Sequence, residues 1–145
     1  MSVSIRTWFI VLLAAMSAIG CARTSPEQEL REAMSALQAG IEARDAGRVD
    51  DWLADDFVGP EGLDRAGARR LAQAMFLRHR DVGASLGPVE VVLQQRHATV
   101  RFNAALTGGS GSLIPDAARI YDVETGWRLD DGEWRMTSAR WTPRL

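Results

Sequence analysis

The sequence predicts an α+β domain in which three helices come before an antiparallel sheet of four to five strands. Through residues 26–80, apolar residues recur every three or four positions, which is the spacing of amphipathic helices. After Gly83 they alternate with polar residues, which is the spacing of strands with one buried and one solvated face. Helices that precede an antiparallel sheet in the chain usually pack together on one of its faces.

The first helix is predicted from a capping pattern followed by an apolar stripe. Ser25 can cap the helix, Pro26 suits its first turn, and Gly47 provides a stop. The stripe consists of Leu30, Met34, Leu37 and Ile41. Such a helix spans roughly 30 Å, at about 1.5 Å per residue, and can lie across a whole sheet.

Two further helices and a short strand are predicted next. Residues 49–54 form a short second helix, and Phe57-Val58 form a brief strand that ends before Gly59-Pro60. Asp64 then caps a third helix that runs to about Arg80. The apolar face of this third helix consists of Ala68, Leu71, Ala72, Met75 and Phe76.

The sheet is predicted from four alternating segments, at residues 89–94, 97–106, 118–129 and 133–142. Asp130-Asp131-Gly132 is a strong hairpin signal between the last two. The solvated faces of these strands carry charges of both signs, at Arg101, Asp122, Glu124, Arg128, Arg135 and Arg140. The charges predict either a solvated cross-strand ladder or a docking surface for a second copy or another protein.

The composition excludes several classes of function. Apolar residues make up 46% of the 145 residues and charged residues 25%, which is typical of globular domains. All 17 basic residues are arginine, and with 19 acidic residues the net charge of −2 argues against nucleic-acid binding. The single cysteine and the absence of lysine exclude an intrachain disulfide, a cysteine-rich zinc site and a lysine Schiff base. The side chains of Asp50-Asp51 and Asp55-Asp56 point apart, so no metal site or cofactor is expected.

Residues 1–20 have the pattern of a bacterial export signal. Arg6 precedes an apolar run from Trp8 to Met16, which is shorter than the roughly 20 residues that span a bilayer. Small residues then lead into Cys21, and this junction resembles the lipobox of bacterial lipoproteins. The resemblance implies a signal peptide at 1–20, a lipidated cysteine with a short tether at 21–25, and a folded domain at 26–145. A plain secretory signal with an unpaired cysteine is the alternative.

The lipobox resemblance implies a location in the bacterial cell envelope, with acyl chains such as palmitate on Cys21 and the domain facing the periplasm. Each buried methylene contributes about 0.8 kcal/mol, so two or more acyl chains form a durable membrane anchor. In bacterial lipoproteins an aspartate after the cysteine often signals retention in the inner membrane. Ala22 occupies that position, and the outer membrane is therefore the expected location.

Three local patterns resemble the nuclear transport factor 2-like superfamily, whose SnoaL-like members have a cystatin-like α+β cone. They are ARDAG followed by WLADDFV within residues 43–58, GLDRAG at residues 62–67, and GWRLDDGEWR at residues 126–135. Together they place about residues 25–142 in the resemblance. It implies that a strongly curved sheet wraps the long first helix and leaves a pocket at the open end of the cone. The expected lining consists of Leu37, Ile41, Trp52, Phe57, Met75, Phe76, Phe102, Tyr121, Trp134 and Met136.

The superfamily contains isomerases, cyclases, dehydratases and non-enzymatic binding domains, so the fold does not determine the function. In the isomerase-like members a carboxylate in the loop before the third helix acts as base, and Glu61 lies in that loop. His79 and Tyr121 are the candidate partners of such a base. The position of the isomerases' oxyanion tyrosine falls near Gly40, however, so the acid–base set is incomplete.

The leading hypothesis is therefore a non-enzymatic envelope domain. It would bind a small apolar ligand in the pocket, or a homodimer or envelope partner through the face of the sheet. The alternative is an isomerase-, dehydratase- or cyclase-like enzyme with a carboxylate base in the pocket. A cavity of about 300 Å³ or more favours the small ligand over the protein partner.

Overall fold

The computed structural model describes residues 24–109 and 117–144. Within these ranges three helices pack on a six-stranded sheet: α1 (Pro26–Glu42), α2 (Ala46–Asp51) and α3 (Arg65–Arg78). The strands are β1 (Leu53–Val58), β2 (Asp81–Leu86), β3 (Glu90–Gln94), β4 (His97–Gly109), β5 (Ala117–Asp130) and β6 (Glu133–Pro143). Cys21 and the signal-like segment lie outside the described residues. No helix in the described ranges is long and apolar enough to cross a membrane.

The sheet is curved, unclosed and mixed, with the strand order β1-β6-β5-β4-β2 and with β3 also paired to β4. β1 runs parallel to β6, whereas all other pairs are antiparallel. The prediction of a purely antiparallel sheet of four to five strands is therefore wrong in strand number and in the direction of one pair. The alternation of buried and exposed residues in β1 is broken, because its register against β6 shifts between Leu53 and Val58.

The predicted hairpin between the last two strands is confirmed. β5 ends at Asp130 and β6 begins at Glu133, which leaves Asp131 and Gly132 as a two-residue turn. Both turn residues have positive φ angles, of 49° and 81°. Two consecutive positive φ angles match the twist of the flanking strands, and an Asp-Gly pair adopts them readily.

Capping side chains set where each helix begins. Ser25 Oγ accepts a hydrogen bond from the Gln28 amide, as predicted for α1. α1 ends at Glu42, earlier than the predicted stop at Gly47, because Asp45 caps α2 and accepts from the amides of Gly47 and Arg48. The helix has 17 residues, and at about 1.5 Å per residue its length is roughly 26 Å. α2 accordingly spans Ala46–Asp51 and not the predicted residues 49–54, and Leu53 and Ala54 belong to β1 instead.

The third helix and its cap follow the prediction. Asp64 caps α3 by accepting from the Gly67 amide at 2.7 Å. The helix ends at Arg78, two residues before the predicted end, and His79 follows it in an extended conformation.

The tightest part of the core lies under the first half of α1. Leu30, Val100 and Trp127 are the largest fully buried side chains of the described residues. Trp134 Nε1 donates to the carbonyl oxygen of Pro26 at 3.1 Å, which ties β6 to the beginning of α1. Dense packing therefore occupies the end of the domain where α1 begins.

Candidate functional site

A cavity of about 430 Å³ lies between the second half of α1, helix α3 and the inner face of the sheet. Leu37 and Ile41 line it from α1, and Met75 and Phe76 line it from α3. Its volume falls within the range of about 300–1,000 Å³ that is usual for small-molecule sites.

Short side chains on the sheet leave room for this cavity. Ala84 on β2, Ala104 on β4 and Ala139 on β6 are buried and line it. Alanine at these positions leaves a gap between the inner face of the sheet and helices α1 and α3, because its single methyl group does not reach across that space. The larger walls are aromatic or contain methionine, namely Met34, Phe57, Phe102, Trp127 and Met136.

The cavity is open to solvent along an apolar rim. Leu71, Met75, Leu106 and Trp141 line the cavity and are each between 40% and 44% exposed. Within α3 no residue is fully buried, although the helix covers one side of the cavity. A ligand can therefore reach the interior past side chains that are not locked by close packing.

Three uncharged polar side chains belong to the lining: Gln38, Tyr121 and Thr125. Gln38 Nε2 donates to the Ala84 carbonyl oxygen at 2.7 Å and to Glu42 Oε1 at 3.1 Å. Thr125 is buried, and its Oγ1 accepts from Trp127 Nε1 at 2.8 Å. These groups offer hydrogen bonds to a ligand inside otherwise apolar walls.

The predicted lining residues all border this cavity except Trp52 and Trp134. Trp134 is buried in the hydrophobic core, and Trp52 is partly buried and packs against that core. The backbone carbonyl of Trp52 accepts from the Met136 amide at 2.8 Å, at the junction of β1 with β6. Both residues therefore belong to the packed part of the domain and not to the cavity wall.

Of the three predicted catalytic candidates, only Tyr121 lines the cavity. Glu61 is exposed in a short 3-10 turn, Pro60–Gly62, and has a positive φ of 56°. His79 follows α3, and its ring lies so close to Gly108 that a Cβ atom there would be 2.9 Å from His79 Nδ1. The structure therefore does not bring Glu61 and His79 into the cavity with Tyr121.

Charged side chains concentrate on the outer face of the sheet and at its edges. Arg101 Nε donates to Glu124 Oε2 at 2.8 Å, and Arg140 Nη2 donates to the other carboxylate oxygen at 2.8 Å. These residues occupy opposing positions on β4, β5 and β6. The hydrogen bond from Arg101 is the main cause that lowers the pKa of Glu124. Arg101, Glu124 and Arg140 thus form a cross-strand ladder on this face.

A polar depression near β1 contains arginines that already have partners. Arg65 donates to Asp50 at 3.0 Å and also to Asp55, and the hydrogen bond to Asp50 is the main cause that raises the pKa of Arg65. Arg128 donates to Asp56 and Asp130. In the described part of the chain, no three His, Cys, Asp or Glu side chains form a group that could hold a metal ion.

Sequence reasoning missed two of the three polar lining residues, Gln38 and Thr125, although both leave a signal. Gln38 lies four residues after Met34, on the apolar side of α1. Thr125 lies between Val123 and Trp127 on the inward positions of β5. The helical spacing of α1 and the alternation of β5 predict an apolar residue at these positions. A polar residue there indicates a candidate site for ligand contact.

The chain matches no protein-family model and no curated protein. Among solved structures it is similar to Bd1075 of Bdellovibrio bacteriovorus, with a TM-score of 0.72 and 10% identity. That match covers 81% of this chain and 40% of Bd1075, so the chain spans less than half the length of that protein.

Two other solved structures match over most of their own length. A proposed dehydratase of the NTF2-like family from Streptomyces avermitilis has a TM-score of 0.70 and 17% identity, over 83% of this chain and 99% of that one. A nuclear transport factor 2 (NTF2-like) superfamily protein from Salmonella enterica has a TM-score of 0.70 and 13% identity, over 81% and 90%. At such low sequence identity, the structural similarity establishes the architecture alone. The activity has to be argued from the site. The chain has the nuclear transport factor 2-like, α+β fold.

Proposed function

We propose that this protein binds a small, largely apolar molecule in the cavity, without chemical turnover, as a lipid-anchored protein of the bacterial envelope. The observation that carries the proposal is an open cavity of about 430 Å³ with predominantly apolar walls. Among the described residues, its lining includes no Asp, Glu, His, Arg or Cys side chain. A ligand that leaves water for such walls gains roughly 25 cal/mol per Å² of apolar surface that it buries.

An isomerase- or dehydratase-like enzyme is the second candidate. It is favoured by the similarity to the proposed Streptomyces dehydratase and by Tyr121 in the lining. Proton abstraction needs a base within about 3 Å of the reacting atom, directly or through one water molecule. The exposed position of Glu61 and the packing of His79 against Gly108 favour binding over catalysis.

A pair of variants on α3 tests ligand binding. Ala72 lines the cavity, whereas Ala74 is exposed on the same helix and does not line it. The full chain is purified from membranes, and its bound small molecules are extracted into organic solvent and identified by mass spectrometry. We expect the wild type and Ala74→Trp to yield a compound in an amount close to that of the protein. Ala72→Trp should lose most of this compound, because the indole fills the cavity.

Two results would count against binding without turnover. One is an extract from Ala72→Trp that is identical to the wild-type extract, which would place the compound outside the cavity. The other is turnover of a steroid- or polyketide-like ketone that disappears in Glu61→Gln, which would favour the enzyme.

The lipid anchor is a separate part of the proposal and rests on the lipobox resemblance around Cys21. Cys21→Ser removes the thiol that the acyl chains would modify. We expect the variant to lose labelling by palmitate and to stay unprocessed or become soluble, whereas the wild type fractionates with the outer membrane. Palmitate labelling and processing that Cys21→Ser leaves unchanged would contradict the anchor, whatever the cavity binds.

A further inference from the structure

The cavity of the proposed function also constrains the charge of its ligand. The polar members of its described lining are the amide of Gln38, the phenol of Tyr121 and the hydroxyl of Thr125, and none is an acidic or basic side chain such as Asp, Glu, His or Arg. An ionised head group placed beside these side chains, away from the open rim, would lose its hydration without gaining a counter-ion. The cost of that transfer is far greater than the cost of moving a hydroxyl or carbonyl group, which one hydrogen bond can compensate.

A charged group that is hydrogen-bonded to one of these polar side chains acts against an anion. Glu42 accepts a hydrogen bond from Gln38 Nε2, which places its carboxylate beside one of the lining residues. The Glu42 side chain is exposed, so its field is screened by water. A carboxylate in the cavity would still be repelled by Glu42. A positively charged ligand would not be repelled, so comparing an uncharged ligand with a cation is the stricter test of this inference.

The hydrogen bonds already made by Gln38 determine what it still offers. Its Nε2 donates to a carbonyl oxygen of Ala84 and to the Glu42 carboxylate. Both partners only accept hydrogen bonds, which fixes the orientation of the amide and occupies both of its hydrogens. Its Oε1 is then the atom left to bind a ligand, as an acceptor.

Thr125 offers the opposite polarity. Its Oγ1 accepts from Trp127 Nε1, and the hydroxyl keeps its own hydrogen for donation. A neutral hydroxyl group on a ligand can donate to the oxygen of Gln38 or accept from Thr125. A carboxylate can only accept and an ammonium group can only donate, so each ion is matched to fewer of these groups.

We propose that the cavity selects uncharged ligands: apolar molecules whose polar end is a neutral oxygen function, of which an alcohol is the best match. This inference rests on the proposed function, because it concerns the ligand of the same cavity. It excludes free fatty acids and alkyl amines as the principal ligands at neutral pH.

Three probes with the same alkyl chain test the selection: dodecanol, dodecanoate and dodecylammonium, each radiolabelled. The full chain is held in an amphipathic polymer at pH 7, and binding is measured by equilibrium dialysis. Binding to Ala72→Trp is subtracted, because partition into the polymer is common to both proteins. We expect saturable binding of dodecanol, with dodecanoate and dodecylammonium weaker by about 100-fold or more, as the desolvation of an ion requires.

The outcomes distinguish a failure of the selection for uncharged ligands from a failure of the proposed function. Dodecanoate or dodecylammonium binding within about threefold of dodecanol overturns the selection for uncharged ligands but keeps the cavity as a binding site. If none of the three probes shows a component that Ala72→Trp removes, the proposed function fails together with the inference.

A second variant pair tests whether Gln38 faces the ligand. Gln38→Glu introduces a carboxylate beside the cavity, whereas Gln28→Glu makes the same change on the same helix at an exposed position outside the lining. Gln28 also resembles Gln38 in donating to a glutamate four residues later, Glu32. We expect Gln38→Glu to shift the preference from dodecanol toward dodecylammonium by about tenfold, and Gln28→Glu to leave it unchanged. Equal preferences in the two variants would contradict the role of Gln38.

Discussion

At the scale of single residues, His79 was a candidate acid or base in the sequence, and in the structure its side chain packs against the sheet. Its ring lies against the backbone of Gly108, near the end of β4, where no side chain intervenes. Its backbone amide donates to the Met75 carbonyl oxygen and completes the last turn of α3. The pair thus joins the end of α3 to the sheet beside the open side of the cavity.

The Gly108→Ala variant tests this contact. Its added Cβ would lie 2.9 Å from Nδ1 and 3.1 Å from Cγ of His79, closer than van der Waals contact permits. We expect a loss of about 1–3 kcal/mol in the free energy of unfolding, measured by urea denaturation. In the double variant with His79→Ala, most of this loss should disappear because the ring is no longer there.

Gly87→Ala is the matched control for that experiment. A Cβ atom on Gly87 meets its nearest neighbour, the Asn103 carbonyl oxygen, at 3.5 Å, an ordinary contact. Its unfolding free energy should change little. An equal cost of Gly108→Ala with and without the His79 ring would show that the backbone, and not the ring, resists the added methyl group.

At the scale of elements, Arg128 holds β1 to the rest of the sheet from the outer side. It lies on β5, and its Nη atoms donate to both carboxylate oxygens of Asp56 on β1, at 2.9 and 3.0 Å. β6 lies between these two strands. The guanidinium therefore reaches across one strand and supports the parallel pair, where the register of β1 shifts.

Replacement of Arg128 by leucine should lower the melting temperature at pH 7 more than Arg31→Leu, which removes only an exposed pair within α1. Hydrogen bonds from Arg128 are the main cause that lowers the pKa of Asp56 below its ordinary value. A carboxyl whose pKa is lower in the folded state stabilises the fold above its unfolded pKa, and the stabilisation is lost as the pH falls through the folded pKa.

The difference between wild type and Arg128→Leu should therefore narrow as the pH falls from about 5 to about 2, which thermal denaturation followed by circular dichroism can measure. A difference that is the same at both pH values would assign the role of Arg128 to the packing of its alkyl stem. Added salt should also reduce the difference at pH 7, because both side chains are partly exposed.

At the scale of the whole molecule, α1 separates a packed end from an open end. Its first residue, Pro26, is bonded to Trp134, whereas Ile41, near the end of the helix, lines the cavity. These two positions lie roughly 22 Å apart, at about 1.5 Å per residue. The described chain therefore enters the domain at the end away from Ile41 and the open side of the cavity.

The outer face of the sheet is expected to act as a solvated ladder. Arg101 and Arg140 already share the carboxylate of Glu124. Arg101→Glu would place a carboxylate directly opposite Glu124, and like charges at paired positions destabilise a sheet. We expect a lower melting temperature and an unchanged mass in analytical ultracentrifugation of the full chain in an amphipathic polymer. Loss of a dimer in this variant, but not in Arg31→Glu on α1, would instead identify this face as an interface.

The sequence by itself determined the three helices, the four strands from β3 onward and most of their boundaries, because those depend on local chemistry. It did not predict β2 or the beginning of β1 at Leu53. The caps at Ser25 and Asp64, the Asp131-Gly132 turn and the alternation along β4 and β5 act over a few residues and are legible in the chain. Most of the cavity lining was also predictable, since it coincides with inward apolar positions.

Only the tertiary structure decided what depends on distant segments. The parallel pairing of β1 with β6 joins residues that are far apart in sequence, and neither strand signals its partner locally. β2 contains few strongly strand-forming residues and gains its place by pairing with β4. The cavity is a volume left by alanines on three separate strands, and whether Glu61 faces it depends on how a turn packs. Such properties arise from the summed geometry of many side chains, which no local pattern encodes.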